Sequence, residues 1–165
     1  MNWLGRLIQE ELDPDRDTVL DIGCGIMQAS DDMKCRIIVG CDFFPKYLNH
    51  IKNLHPTVKI SASELDRFMD ESYDVVICLD VVEHLEKDLA LRVISELKRI
   101  ARKKAIIYTP SEFKDNKLAV DDAWGLGYNE AQEHKCLITS HELRGMGYKC
   151  DNDNPDVGNF AVWRR

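Results

Sequence analysis

The sequence predicts an α/β protein: a doubly wound, mostly parallel sheet with a small or missing cap before its first strand. Three observations carry this. Short apolar runs alternate with segments of helical spacing along the chain. That is the pattern of parallel strands joined by crossovers of one hand, with helices on both faces. The run SYDVVICLD at 72–80 is apolar through its middle, as expected of a strand covered on both sides. Acids and glycines gather just past the strand-like runs, where sheets of this kind bind their ligands.

The elements follow in order. Residues 2–12, NWLGRLIQEEL, place apolar side chains at 3, 4, 7, 8 and 12, which is helical spacing. DPDRD breaks that helix. TVLDIG is a buried first strand and CRIIVGCD at 35–42 a second. PKYLNHIKNL at 45–54 reads as a helix with proline at its start, where proline is tolerated. TVKIS at 57–61 is the third strand and 72–80 the fourth. Leu85, Leu89, Val93, Ile94, Leu97, Ile100 and Ala101 share one face of a helix over 86–102. KKAIIYTP at 103–110 is a fifth strand, stopped by Pro110. Residues 111–135 are polar and irregular. TSHELRGMGY is a short helix opened by a Ser/Thr cap and closed by glycine. Residues 147–151 and 159–163 make the last two strands. At 165 residues the chain is expected to form a single domain spanning 1–165.

The net charge of -7 argues against a nucleic-acid surface, which needs clustered cations. Lys98-Arg99 and Arg102-Lys103-Lys104 are assigned to the end of a helix, where cations suit the dipole. The six cysteines, at 24, 35, 41, 78, 136 and 150, form no C-x-x-C pair, so no zinc site is expected from spacing. The amino terminus lacks the apolar core of a signal peptide, and no run approaches the ~20 apolar residues of a membrane span. These features predict a cytoplasmic protein with reduced thiols, with an oligomer left open.

The chemistry starts at VLDIGCGIM, residues 19–27. Asp21, Gly23 and Gly25 follow the first strand, and glycine lets a ligand approach the backbone closely. A dinucleotide fingerprint needs a third glycine, and that place is Gln28. Asp21 repels a pyrophosphate and suits a cation. Asp-x-Gly-x-Gly resembles motif I of the class I S-adenosylmethionine-dependent methyltransferases, in which a third glycine often stands where Met27 is. The resemblance runs from about Val19 to Tyr108 and is strongest in small-molecule enzymes of the type 11 kind. It implies a Rossmann-like methyltransferase fold, S-adenosyl-L-methionine as cofactor and S-adenosyl-L-homocysteine as product. It also places Asp21, Gly23, Cys24 and Gly25 around the cofactor. Asp42 ends the second strand; the family's acid here takes both ribose hydroxyls, while capping of the helix at Pro45 is the alternative. The family sets the next residue, Phe43, against adenine. The usual adenine-side acid falls at Ala62, which leaves Ser61, Ser63 or Glu64 to substitute, and Ser63 is taken as the candidate. Asp74 reads as structural.

CLDVVEHLEKD at 78–88 resembles the family's D-V-I-E-H-L signature. It implies Leu79 and Asp80 beside the methionine part of the cofactor and Glu83 and His84 at the start of a helix. Methyl transfer from a sulfonium is an in-line displacement that depends on orientation. A base is needed only where the acceptor has a proton to lose; the candidates are Asp80, Glu83, His84 and His134. No metal motif is visible, Asp80 with Glu83 being the nearest approach to a divalent site. Trp124, Tyr128, Asn129, Gln132 and His134 have the mixed character of a pocket wall, which makes 111–135 the segment expected to cover the methyl acceptor, a small molecule or carrier-borne group. An equally weighted alternative is a solvent loop anchored by its tryptophan. The rival functions are a non-catalytic cofactor- or partner-binding module and, disfavoured by Asp21, a nicotinamide-dependent oxidoreductase.

Overall fold

The computed structural model describes residues 2–116, 124–150 and 158–165. Its strands are β1 Thr18–Ile22, β2 Ile37–Asp42, β3 Thr57–Lys59, β4 Tyr73–Leu79, β5 Ala101–Thr109, β6 Lys149–Cys150 and β7 Asn159–Arg164. They form one sheet in the order β3-β2-β1-β4-β5-β7-β6. The first five strands are parallel; β7 is antiparallel to both β5 and β6. The chain enters at β1, steps outward to β2 and β3, then returns to β4 on the other side of β1. This reversal opens a crevice beyond the carboxyl ends of β1 and β4.

Strand periodicity sorts the apolar side chains onto two faces. Leu20, Val76, Cys78 and Ile107 pack under α3, Lys87–Ile100, through its Ala90, Val93, Ile94 and Leu97. Val19, Val75, Ile77 and Ile106 meet α1, Trp3–Gln9, and α2, Pro45–Ile51. A fourth helix, α4 Ser140–Gly145, starts at the Thr139 cap, whose side chain accepts from the Glu142 amide while Glu142 reaches back. Among the described residues no helix is long and apolar enough to cross a membrane.

The structure departs from the sequence expectations at element ends. The long helix stops at Ile100, and Ala101 is already extended and opens β5. Arg102, Lys103 and Lys104 therefore lie in a strand, not at a helix terminus. Their charges meet acids: Arg102 and Lys103 on Asp74, Lys103 on Asp17, Lys104 on Glu11. Asp74 also accepts the amide and hydroxyl of Thr18. Burial opposes its charge, but these bonds hold its carboxyl down at about 2. Such a network fits the structural role expected of it. β3 ends at Lys59 because Ser61 caps a 3-10 turn over Ala62–Arg67.

The connection from β1 to β2 holds no helix; residues 23–36 are turns. Its path is set by three left-handed residues, Gly23, Gly25 and Met27, with φ of 70, 52 and 59°. Met27 thus keeps the conformation that a third glycine would supply, at a cost of roughly 1–2 kcal/mol. Burial offsets this: Met27 is 1% exposed, with its sulfur against Gly40, where a Cβ would lie 3.2 Å away. Both Met27→Gly and Met27→Ala should destabilise the protein through lost packing. The glycine variant should be the more stable of the two by about 1 kcal/mol, the reverse of the usual order. Urea unfolding of both variants checks this; an alanine variant as stable as the glycine one would show that the strain is not real.

Candidate active site

The glycine turn is held by hydrogen bonds on both sides. The Cys24 amide donates to the Cys41 carbonyl at 2.9 Å. Asp42 accepts the Gly25 amide on Oδ2 (3.0 Å) and the Phe44 amide on Oδ1 (2.8 Å). Asp42 therefore holds the N-cap residue of α2 by its amide, although no side chain caps that helix, and it also ties β2 to the turn after β1. Room at this turn is fixed by contact. A Cβ on Gly23 would come within 2.4 Å of Val81 Cγ2, and one on Gly25 within 2.7 Å of the Trp124 ring. Asp21, 2% exposed, lies below the turn and accepts the Ser30 hydroxyl at 2.6 Å. Burial pushes its carboxyl up to about 7, the Ser30 bond opposes this, and the nearby Asp42 charge adds to it.

Two chambers open over the strand ends. One, of about 220 Å³, has apolar walls from Phe43, Ile60, Leu65, Val81 and Leu85. The other, of about 320 Å³, is lined by Asp21, Gly25 and Ser30 on one side and by Trp3, Tyr108 and Trp124 on the other. Gly23, Asp42, Asp80, His84 and Gln132 line both, so the chambers meet at the carboxyl ends of β1, β2 and β4. A larger groove of about 790 Å³ lies between the 3-10 turn and α3, away from these strand ends.

Asp80 follows β4 in the left-handed region, φ 52°, a strained placement of the kind that functional sites hold. Its carboxyl is within hydrogen-bonding reach of Glu83. Glu83 is 2% exposed; Oε2 accepts the Thr109 hydroxyl at 3.1 Å, and Oε1 has no donor. Burial raises both carboxyls, and the Asp80 charge raises Glu83 further. His84 Nδ1 lies 3.2 Å from the Glu133 carbonyl, and its ring is 4.9 Å from that of His134. Burial lowers His84 to about 4, with His134 adding to the effect, so the imidazole is neutral at neutral pH. Burial also lowers His134.

Most of the residues singled out in the sequence converge here. Asp21, Gly23, Cys24, Gly25, Asp42, Phe43, Leu79 and Asp80 line one chamber or the other. The Cys24 side chain points into the core, its sulfur against Gly40, so only its backbone faces the turn. Ser63 is exposed, pairs its hydroxyl with Ser61 and lines the outer groove, which shares Ala62 and Leu65 with the apolar chamber. Ser61 and Ala62 border the apolar chamber instead, because capping the 3-10 turn swings the next serine outward. Glu64 is held by the Ser61 amide. Trp124, Asn129 and Gln132 stand in the chamber walls, whereas Tyr128 is 60% exposed. Residues 117–123 of the expected covering segment lie outside the described residues. Sequence reasoning missed Trp3 and Tyr108, which meet edge to face at 5.5 Å beside the polar chamber. The signal was a tryptophan at the start of a helix too short to need it.

Residues 20–109 match the methyltransferase domain family. The chain belongs to that family, the class I fold whose enzymes use S-adenosylmethionine. No curated protein matches the chain significantly. Among solved structures it is similar to magnesium protoporphyrin IX methyltransferase from Synechocystis with bound S-adenosylhomocysteine (17% identity, TM-score 0.68, 98% of this chain and 80% of that one). It is also similar to a S-adenosylmethionine-dependent methyltransferase from Archaeoglobus fulgidus (19%, 0.61, 88% and 69%). A third likeness is to a protein from Bordetella parapertussis described as a possible exported protein (14%, 0.70), where the chain covers 98% of itself and 65% of that protein's length.

Asp21 gives the fold a pH dependence. Its carboxyl titrates near 7 when folded, against 3.8 ordinarily. Stability from its neutral form is complete below 3.8 and is lost as pH rises through 7. From pH 5 to 8 the loss should be about 2–3 kcal/mol. Asp21→Asn should remove that part of the slope. Urea titrations of wild type and variant at both pH values test this, and equal slopes would place the Asp21 pKa near its ordinary value.

Proposed function

We propose that this chain transfers the methyl group of S-adenosylmethionine to an acceptor in the chamber edged by Trp3, Tyr108 and Trp124. One observation carries the reading: the polarity of the joined chambers follows that of the cofactor along its length. An apolar end at Phe43, Ile60 and Leu65 suits adenine. Asp42 stands in the middle, where the ribose hydroxyls fall; backbone amides of Gly25, Phe44 and Phe43 bond its carboxylate, which leaves part of its acceptor capacity to offer. The acid Asp21 lies at the far end, where the ammonium falls, with Leu79 and Asp80 alongside the methionine chain. Ser61 and Ala62 border the adenine edge in place of Ser63.

The leaving group of a sulfonium is already good, so the main contribution is to hold the acceptor in line with the methyl. Glycines at 23 and 25 let the cofactor close on the turn, and Val81 and Trp124 fix how closely. For an acceptor that loses a proton, the neutral imidazoles of His84 and His134 and the Asp80–Glu83 pair are the groups at hand. The acceptor is a small molecule or a group on a carrier.

Calorimetry with S-adenosylhomocysteine should give micromolar binding, roughly -8 kcal/mol; no heat at millimolar ligand would overturn the reading. Asp42→Ala should weaken binding at least tenfold, since a charge-assisted hydrogen bond is worth about 1.5–3 kcal/mol. It should also lower the melting point without ligand, because the Gly25 and Phe44 amides lose their acceptor. A variant that melts early yet binds normally would leave Asp42 a cap alone. Labelled cofactor against metabolite pools then separates an enzyme from a binding module.

A further inference from the structure

The wall shared by the two chambers carries a group of side chains that methyl transfer alone does not require. One donor atom each from Glu83, His84 and His134 lies within 4.8 Å of the other two. His134 is remote in sequence and is brought in by the backbone: the Lys135 and Cys136 amides both donate to the Glu83 carbonyl, at 2.7 and 3.1 Å. Asn116 clamps the same stretch, donating to the Gln132 carbonyl and accepting the His134 amide, both at 2.7 Å. Main-chain bonds thus bring the three side chains together, and the two imidazole rings also meet at 4.9 Å.

Their unused valences point the same way. Glu83 is buried with Oε1 lacking a donor, and its neighbour on that side is a second carboxyl, Asp80. A buried, unpaired acceptor is costly, and two acids in reach of each other call for a proton or a cation between them. His84 directs Nδ1 at the Glu133 carbonyl, and the Gln132 and Asp80 carbonyls also bond its ring; with the proton on Nδ1, the Nε2 lone pair is the one a metal would take. A backbone carbonyl on one ring nitrogen is the usual companion of a metal on the other. The Lys114 carbonyl plays the same part toward His134. The opposing charge is the Lys114 ammonium, on an exposed residue.

We propose that Glu83, His84 and His134 bind a divalent transition-metal ion, with Asp80 at its side. Two imidazoles and a carboxylate favour zinc, cobalt, nickel or iron over magnesium or calcium. A tetrahedral ion with bonds of about 2.1 Å sets its ligand atoms about 3.4 Å apart, closer than the 4.8 Å that bounds the three donors here, so the cluster must draw in around the ion. His84 lines both chambers, so the ion faces the space where cofactor and acceptor meet. A position left open on it can take water or an oxygen of the acceptor and make that oxygen more acidic.

The test uses the full chain after chelator treatment and needs no acceptor. Cobalt(II) should bind one equivalent, with visible d–d absorption that zinc abolishes. In nitrogen-detected NMR of the wild-type protein, zinc should shift the ring signals of His84 and His134 and leave His50, His55 and His141 in place. This readout does not depend on any variant folding. His84→Ala, His134→Gln and Glu83→Gln should each weaken cobalt binding at least tenfold. The absence of d–d absorption, shifts at the other histidines, or thiolate charge-transfer bands from the cysteines would overturn the proposal. Loss of S-adenosylhomocysteine binding with metal binding intact would strike the proposed function and leave the ion site standing.

Discussion

The carboxylate of Asp42 joins the two halves of the site. One oxygen holds the turn after β1 through the Gly25 amide, and the other holds the start of α2 through the Phe44 amide. Without it the turn would be fixed to β2 chiefly by the Cys24 bond to Cys41. Because no helix follows the turn before β2, helical hydrogen bonds cannot hold the loop in shape. The shape rests on Asp42, on left-handed backbone at three positions and on the burial of Met27. The proposed function and local stability are therefore drawn from the same atoms.

Three buried acids, Asp21, Asp42 and Glu83, gather at one edge of the sheet with the exposed Asp80 beside them. The opposite edge shows how a fold satisfies buried acids when stability is the aim: Asp17 and Asp74 meet Lys103 and Arg102, with Thr18 completing the shell. At the carboxyl edge the partners are backbone amides, hydroxyls and another acid. All four carboxyls there are raised, while Asp74 is lowered. Among these acids only Glu83 Oε1 is buried without a donor, and raised carboxyls grouped in this way mark a candidate functional site. In the function proposed above, a sulfonium cofactor bearing an ammonium would supply positive charge at Asp21, and a metal ion would supply it at Glu83.

Much of this was legible in the sequence, for identifiable reasons. The strands were readable because those covered on both faces are apolar throughout, and the long helix because its stripe is unbroken. The ends were less so: Ala101 is helix-compatible by composition, yet the pairing of β5 with β4 and β7 takes it into the sheet. The turn was readable because only glycine does well in left-handed backbone, and Met27 was unexpected there because burial outweighs the local cost. The sequence left Ser61, Ser63 and Glu64 as alternatives because which of them borders the chamber depends on the capping of one 3-10 turn. The meeting of His134 with His84 lies beyond local pattern, since it depends on where a distant segment crosses the Glu83 carbonyl.

That crossing also explains how so short a chain covers its site. Residues 124–134 lie across the strand ends in two holds. At one, Trp124 rests on bare Gly25, edge to face with Tyr47, whose hydroxyl takes the Asn129 side chain. At the other, the Glu83 carbonyl takes the Lys135 and Cys136 amides. The first hold touches the turn and the second touches the acids after β4, so the segment links both ends of the joined chambers. A side chain at position 25 would lift the tryptophan, and lifting it would loosen the wall that sets how a ligand lies along the turn. Glycine is thus needed there twice over: for the path of its own backbone, and for the tryptophan that closes over it.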